Sequence, residues 1–327
     1  MPDPARQPFH WKILRAINGL HFSLGLPLIA RLPAAAGIRF ARMFGRLHHR
    51  LDLDWRTVAL STHFVRERTA QALAQINPAG APAEQGRAAP APDRRVRQRF
   101  EIAVREELEA HWFINQRIRS THCRFIGFEP VRALQRSGQG IVFLTFHYDA
   151  PLVGVVHMGR AGIPLNLMTS SQVELDCVPR SVQHYFRNKY AAIQQHLNGG
   201  RTLHAETHLK SFYTGLRKGC SAVILGEAPA VQDEDGIVVR FMHRRRAFAP
   251  GAVRLAERTR SPLVPFVCEC TGAGQYRIEF GAPLLPTADG SHAANQQALY
   301  EFIEKRIQAH PEKWWAADLL PSFRQLD

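Results

Sequence analysis

The feature that most limits the fold of this chain is a strand–helix alternation over its second half. Short β-type runs lie at 141–146, 163–169, 221–226, 236–242, 263–270 and 275–280. Stretches with apolar residues at helical spacing fill 129–137, 150–160, 179–187, 203–218, 250–259 and 294–309. Alternation of this kind predicts an α/β sheet with helices on its faces. Two late runs, VPFVCEC and YRIEF, are joined by TGAGQ, which signals a hairpin. The expected fold is therefore α/β, with a mixed central sheet flanked by helices.

The first part of the chain reads differently. Residues 10–75 and 96–120 carry helical spacing throughout. Between them INPAGAPAEQGRAAPAPDRR is rich in Ala, Pro and Gly, which predicts a flexible loop over 77–95. The helix before that loop is too apolar to stand alone. The expected organisation is an N-terminal helical region over 1–120 packed on an α/β core over 121–327. From the start, MPDPARQPFHWK, no signal peptide is expected. The apolar stretch Ala16–Ala30 has fifteen residues, fewer than the roughly 18 to 20 that a membrane span needs. Pro27 and Pro33 break it, and Lys12, Arg15, Arg31, Arg39 and Arg42 flank it. It reads either as helices lying on an interface or as an amphipathic pair packed on the core.

Charge narrows the partners. Lys and Arg number 42 against 28 Asp and Glu, a net charge of +14. Such a balance favours an anionic partner: nucleic acid, an anionic membrane face or an acidic carrier protein. Few aromatics interleave with the basic block (Phe241 and Phe248), so nucleic-acid stacking is not expected. The five cysteines, at 123, 177, 220, 268 and 270, form no CxxC pair and read as reduced thiols. Cys268 and Cys270 would share one strand face as packing residues.

Three stretches carry candidate chemistry. In GIVFLTFHYDAPLVG, the apolar run Ile141–Phe146 ends in His147. The carboxyl end of a core strand is where α/β sheets hold ligands, and a helix opens near Asp149-Ala150-Pro151. His147 is thus the candidate general base. In LRKGCSAVILGE, a second buried strand ends at Glu227, a carboxylate that could approach His147. The acidic run Asp233, Glu234 and Asp235 after it reads as a solvated loop. In FMHRRRAFAPG, Arg244, Arg245 and Arg246 come after a strand end and precede a helix opening at Gly251. Forked donors beside a helix start suit an anionic substrate group, whereas a solvated basic turn is the plainer reading. His204 and His208 stand four apart on an expected helix, but no third ligand accompanies them, so no metal site is expected.

Taken in order, these stretches resemble the lipid A biosynthesis (lauroyl/myristoyl) acyltransferase family of the lysophospholipid acyltransferase-like group. LPLIARLPAAAGIRFARMFG and WRTVAL resemble the family's membrane-docking region, and GIVFLTFHYDAPLVG its histidine block. LRKGCSAVILGE, FMHRRRAFAPGAVRLAERTRSPLVPFV and HPEKWW resemble later family blocks. The resemblance implies a lysophospholipid acyltransferase-like fold and a cytoplasmic protein peripheral to the inner face of the plasma membrane. It implies transfer of an acyl chain to a hydroxyl or amine of a lipid or small-molecule acceptor. The donor would be an acyl carrier protein's phosphopantetheine thioester or acyl-coenzyme A, with no bound cofactor. His147 takes the family's histidine position, and Arg244 matches its usual arginine.

The departures are specific. The family places a carboxylate five residues after the histidine, where this chain has Leu152. Asp149 stands at plus two, so either Asp149 or Glu227 replaces the missing partner, or His147 works alone. His243 replaces the glycine expected before Arg244. Two readings are open: an acyltransferase with a rearranged site, or a non-catalytic relative that binds an acyl chain or an acyl carrier protein.

Overall fold

The computed structural model describes residues 8–76, 92–228, 236–286 and 292–326. The expected loop 77–95 falls mostly outside them, as does the acidic run 233–235. Six helices come first: α1 (Phe9–Leu20), α2 (Leu26–Ile29), α3 (Ala34–Leu51), α4 (Trp55–Leu60), α5 (Val65–Ile76) and α6 (Pro92–Ile114). Next come β1 (His122–Ile126), α7 (Phe128–Arg136), β2 (Val142–Thr145), α8 (Pro151–Arg160), β3 (Leu165–Thr169), α9 (Arg180–Gln194), β4 (Thr202–His204), α10 (Ala205–Arg217) and β5 (Ser221–Leu225). The rest is β6 (Ile237–Phe241), β7 (Arg244–Phe248), α11 (Gly251–Thr259), β8 (Leu263–Gly272), β9 (Gln275–Phe280) and α12 (His292–Ala309).

Seven strands form one sheet in the order β1-β9-β8-β2-β5-β3-β4. Neighbours run parallel except β8 and β9, the antiparallel pair joined at the expected hairpin, so the sheet is mixed. The side-chain period of two shows in β2. Phe143 and the preceding Ile141 enter one core with α6, α8 and α9 residues. Val142, Leu144 and Phe146 enter the other, with α11, α12 and the C-terminal segment. A strand buried on both faces needs an unbroken apolar run, which is what Ile141–Phe146 provides.

Two expectations change. β6 lies outside the main sheet and pairs with β7 in a separate antiparallel hairpin. The three arginines are therefore in a strand, not in a turn before a helix. The short strands β1 and β4 were not expected; their compositions, HCRFI and TLH, are only partly buried and lack an apolar run.

The N-terminal helices share the sheet's core. Leu26, Ile29, Ile38, Ala41, Val104 and Leu108 belong to the same buried cluster as Phe143 and Phe266. α3 crosses α6 closely at Gly45, where a Cβ would lie 2.4 Å from the Glu101 Cα. The stretch Ala16–Ala30 forms the end of α1, a π turn over His21–Gly25 and α2. Among the described residues no helix is long and apolar enough to cross a membrane.

Candidate active site

β2 and β5 are parallel neighbours with Thr145 opposite Leu225, so the loops that leave their carboxyl ends emerge side by side. His147 comes two residues after β2 and Glu227 two residues after β5. Gly226 allows the approach: a Cβ there would lie 2.9 Å from the Phe146 ring. His147 Nδ1 stands 2.9 Å from Glu227 Oε2. The other carboxylate oxygen, Oε1, accepts from the His147 backbone N–H at 2.5 Å and from Trp314 Nε1 at 2.7 Å. The Glu227 side chain is 2 % exposed and that of His147 35 %, so the imidazole faces solvent while its partner does not. A carboxylate that accepts from Nδ1–H leaves Nε2 as the proton-accepting nitrogen, the arrangement of an oriented general base.

Asp149 does not join this pair. It sits in the left-handed region at φ 56°, which Asp tolerates better than most residues, and it is fully buried. Its Oδ1 accepts from Arg105. Its Oδ2 accepts from the Cys270 backbone N–H at 3.1 Å and lies 3.4 Å from Lys313 Nζ. It does not cap the next helix either: Ala150 holds the cap position of α8. Lys313 also meets Glu269 at 2.7 Å, and Arg277 reaches the same carboxyl. Burial opposes ionisation of Glu269, yet the hydrogen bonds from Lys313 and Arg277 outweigh it and bring its pKa down to about 2. The charges around Asp149 thus form a structural network beneath the histidine loop. Leu152 is buried in the first turn of α8.

The arginine block divides. Arg244 and Arg245 are exposed on β7, whereas Arg246 is fully buried. The Arg246 guanidinium donates to the carbonyls of Phe241, Leu320 and Phe323 at 3.3–3.4 Å and to Gln75 Oε1 at 2.9 Å. A guanidinium spent on main-chain carbonyls in the core is a tie between segments, which corrects the expectation of Arg246 as a substrate-binding residue. Arg244 lines a cavity of about 400 Å³ with Gln75, Met242, His243 and Gln325. A neighbouring cavity of about 270 Å³ lies between β6 and α12. Neither is lined by His147 or Glu227. Gly251 opens α11 at an exposed position with open space where a Cβ would stand. Of the candidate residues, the structure brings together His147 and Glu227.

His204 closes β4 and is not on a helix with His208; their rings are 6.5 Å apart. Among the described residues no group of three or more His, Cys, Asp or Glu could hold a metal ion.

Sequence reasoning missed the C-terminal contribution. Trp314 is fully buried and reaches Glu227, and the Trp315 ring stands nearly perpendicular to that of His147 at 4.5 Å. The signal for it was the paired tryptophan in HPEKWW, two of only five in the chain.

The site is thus a histidine just past one strand end, in contact with a buried carboxylate just past the end of the neighbouring strand. A model of the bacterial lipid A biosynthesis acyltransferase family matches residues 76–320, from the end of α5 to beyond HPEKWW. The helices before residue 76 lie outside that match. No curated protein matches the chain. The matched residues make up most of the chain and contain the histidine, its carboxylate and both tryptophans, so the chain belongs to the bacterial lipid A biosynthesis acyltransferase family, whose activity in general is acyl transfer.

Proposed function

We propose that the protein is an acyltransferase in which His147 is the general base and Glu227 its orienting carboxylate. The observation that carries this reading is the 2.9 Å contact between His147 Nδ1 and Glu227 Oε2. His147 Nε2 takes the proton of a hydroxyl or amine on a lipid or small-molecule acceptor. The freed oxygen or nitrogen attacks the carbonyl of an acyl thioester. The tetrahedral intermediate collapses, the thiolate leaves, and the proton held by His147 passes to it. The donor is an acyl carrier protein's phosphopantetheine thioester or acyl-coenzyme A. The basic surface of the chain, at a net charge of +14, suits either anionic donor. Glu227 takes the role that the family's carboxylate at plus five would play, which Leu152 cannot.

The test incubates the protein with acyl carrier protein carrying a dodecanoyl chain and with dodecanoyl-coenzyme A, each with candidate acceptors, and follows acyl loss by intact mass. His147→Ala should abolish turnover, and Glu227→Gln should lower kcat by roughly 10²–10⁴-fold, the range for general-base catalysis and its orienting carboxylate. Turnover that survives His147→Ala rejects the reading. Leu152 in the family's carboxylate position favours a second reading, a non-catalytic acyl-chain or carrier-protein binder. Tight binding of the acylated carrier with no acyl loss would support it.

We also propose that the protein works on the cytoplasmic side of the plasma membrane, docked through its first helices. Phe9, Ile13, Leu20, Leu24 and Leu28 form an exposed apolar stripe along α1, the π turn and α2, and Phe40, Met43 and Leu47 form another on α3. Lys12, Arg31, Arg39, Arg42, Arg46 and Arg50 are exposed along the same helices. Apolar stripes bordered by cations suit an anionic bilayer surface. Flotation with anionic vesicles but not with zwitterionic ones is the expected result, and Leu20→Glu with Leu24→Glu should abolish it.

A further inference from the structure

Glu227 has two equivalent oxygens, and only one arrangement of them serves His147. Oε2 meets the ring at 2.9 Å. Oε1 is held by two donors, the His147 backbone N–H at 2.5 Å and Trp314 Nε1 at 2.7 Å. The first donor belongs to the same loop as the base. The second comes from the C-terminal segment, and it is the one that fixes Glu227 from outside the pair.

Trp314 is fully buried, with its ring 6.1 Å from Phe146 and 5.8 Å from Phe241. Phenylalanine would fill such an aromatic box without a polar atom. The indole N–H is instead spent on a buried carboxylate, a charge-assisted bond of the stronger kind. The backbone around Trp314 is laced to the histidine loop. The Asp149 N–H donates to the Lys313 carbonyl at 2.8 Å, and the Trp315 N–H donates to the His147 carbonyl at 3.1 Å. Buried Arg99 donates from Nε to the Trp315 carbonyl at 2.7 Å, and Lys313 Nζ holds Glu269 at 2.7 Å. The segment is therefore anchored on both sides of the indole.

We infer that Trp314 is a positioning residue for Glu227: its indole N–H fixes the carboxylate so that Oε2 faces His147 Nδ1. The inference rests on the His147–Glu227 pair being the catalytic one. Glu227 stands in the loop past the end of β5, outside the histidine's own segment, and the C-terminal tryptophan supplies its anchor from a third segment.

Two measurements test this. In thioester turnover with acyl carrier protein carrying a dodecanoyl chain, Trp314→Phe should lower kcat about 10- to 100-fold at nearly unchanged KM, the effect of losing one hydrogen bond to a charged group. In a Glu227→Ala background the same substitution should lower it no further. Equal losses in both backgrounds would show a packing role and overturn the inference, as would an unchanged kcat in the single variant. The second measurement needs no activity and no tryptophan variant beyond assignment. In the ¹⁵N–¹H spectrum, the Trp314 indole N–H, assigned by its loss in Trp314→Phe, should lie downfield and move on Glu227→Gln. An indole signal that ignores Glu227→Gln overturns the inference even if the enzyme is active. A coupled signal without thioester turnover upholds the positioning and rejects only the acyl-transfer reading.

Discussion

Asp149 and Glu227 are both buried carboxylates near one histidine, and their surroundings decide what each can do. Asp149 has both oxygens committed, to Arg105, to the Cys270 N–H and to Lys313. Glu227 gives one oxygen to His147 Nδ1. Removing one member of a buried charge network leaves the others uncompensated, at a cost of about 3–5 kcal/mol. Asp149→Asn should therefore lower the denaturant midpoint strongly, while Glu227→Gln acts mainly on turnover. Chemical denaturation of both variants beside their kcat checks this. An Asp149→Asn protein of native stability that has lost only its rate would place Asp149 in the chemistry instead. Proximity in sequence pointed to Asp149, two residues from the base; burial and partners point to Glu227, 80 residues away.

At the scale of elements, the β6–β7 hairpin shows how one charge run can serve two purposes. Burial along β7 changes from its exposed start to its buried end, so Arg244 and Arg245 are exposed while Arg246 is buried. The turn between the strands places Met242 and His243 at φ 49° and 63°, both in the left-handed region where a glycine would be at ease. α12 compensates: Glu304 accepts from the Met242 N–H at 2.6 Å. Arg246 then ties the hairpin to the C-terminal segment through the Leu320 and Phe323 carbonyls. Arg246→Met strands several buried acceptors and should cost about 3–4 kcal/mol. Arg245→Ala should stay within about 0.5 kcal/mol, as an exposed substitution does. Differential scanning calorimetry of the two variants separates them; equal melting temperatures would mean that the buried guanidinium carries no stability.

At the scale of the whole molecule, the first helices are held to the body by a buried polar cluster that responds to pH. His21 Nε2 lies 2.9 Å from Glu107 Oε2, and the His21 and His48 rings are 4.4 Å apart. Burial raises the Glu107 pKa from 4.5 to about 8, and burial lowers that of His21 from 6.5 to about 3. Glu107 thus keeps its proton and donates it to a neutral ring. A carboxyl whose folded pKa lies above its unfolded one binds more protons when folded. Its stabilisation is complete below about 4.5 and is lost as pH rises to about 8. Below about 6.5 the depressed pKa values of His21 and His48 oppose this, because their rings bind protons only on unfolding, so the melting temperature should fall between about 6.5 and about 8, and Glu107→Gln, which cannot ionise, should flatten that decline. A slope unchanged by the substitution would refute the linkage.

Much of this fold was legible in the residues. The apolar runs at 141–146, 221–226 and 263–270 are strands because a strand covered on both faces must be apolar throughout. The helices after them are set by apolar spacing, and His147 stood out because a polar ring ends such a run. β1, β4 and β7 were not legible, since short edge or hairpin strands carry no such run. The sequence by itself determined the α/β alternation, the strand-end histidine and the basic surface, because each depends on local spacing and composition. Only the tertiary structure decided that Glu227 rather than Asp149 braces the histidine, that Arg246 is a core tie and that Trp314 reaches the carboxylate. Those choices depend on which strands lie side by side and which chain segment crosses the loop, and these are contacts between residues far apart along the chain.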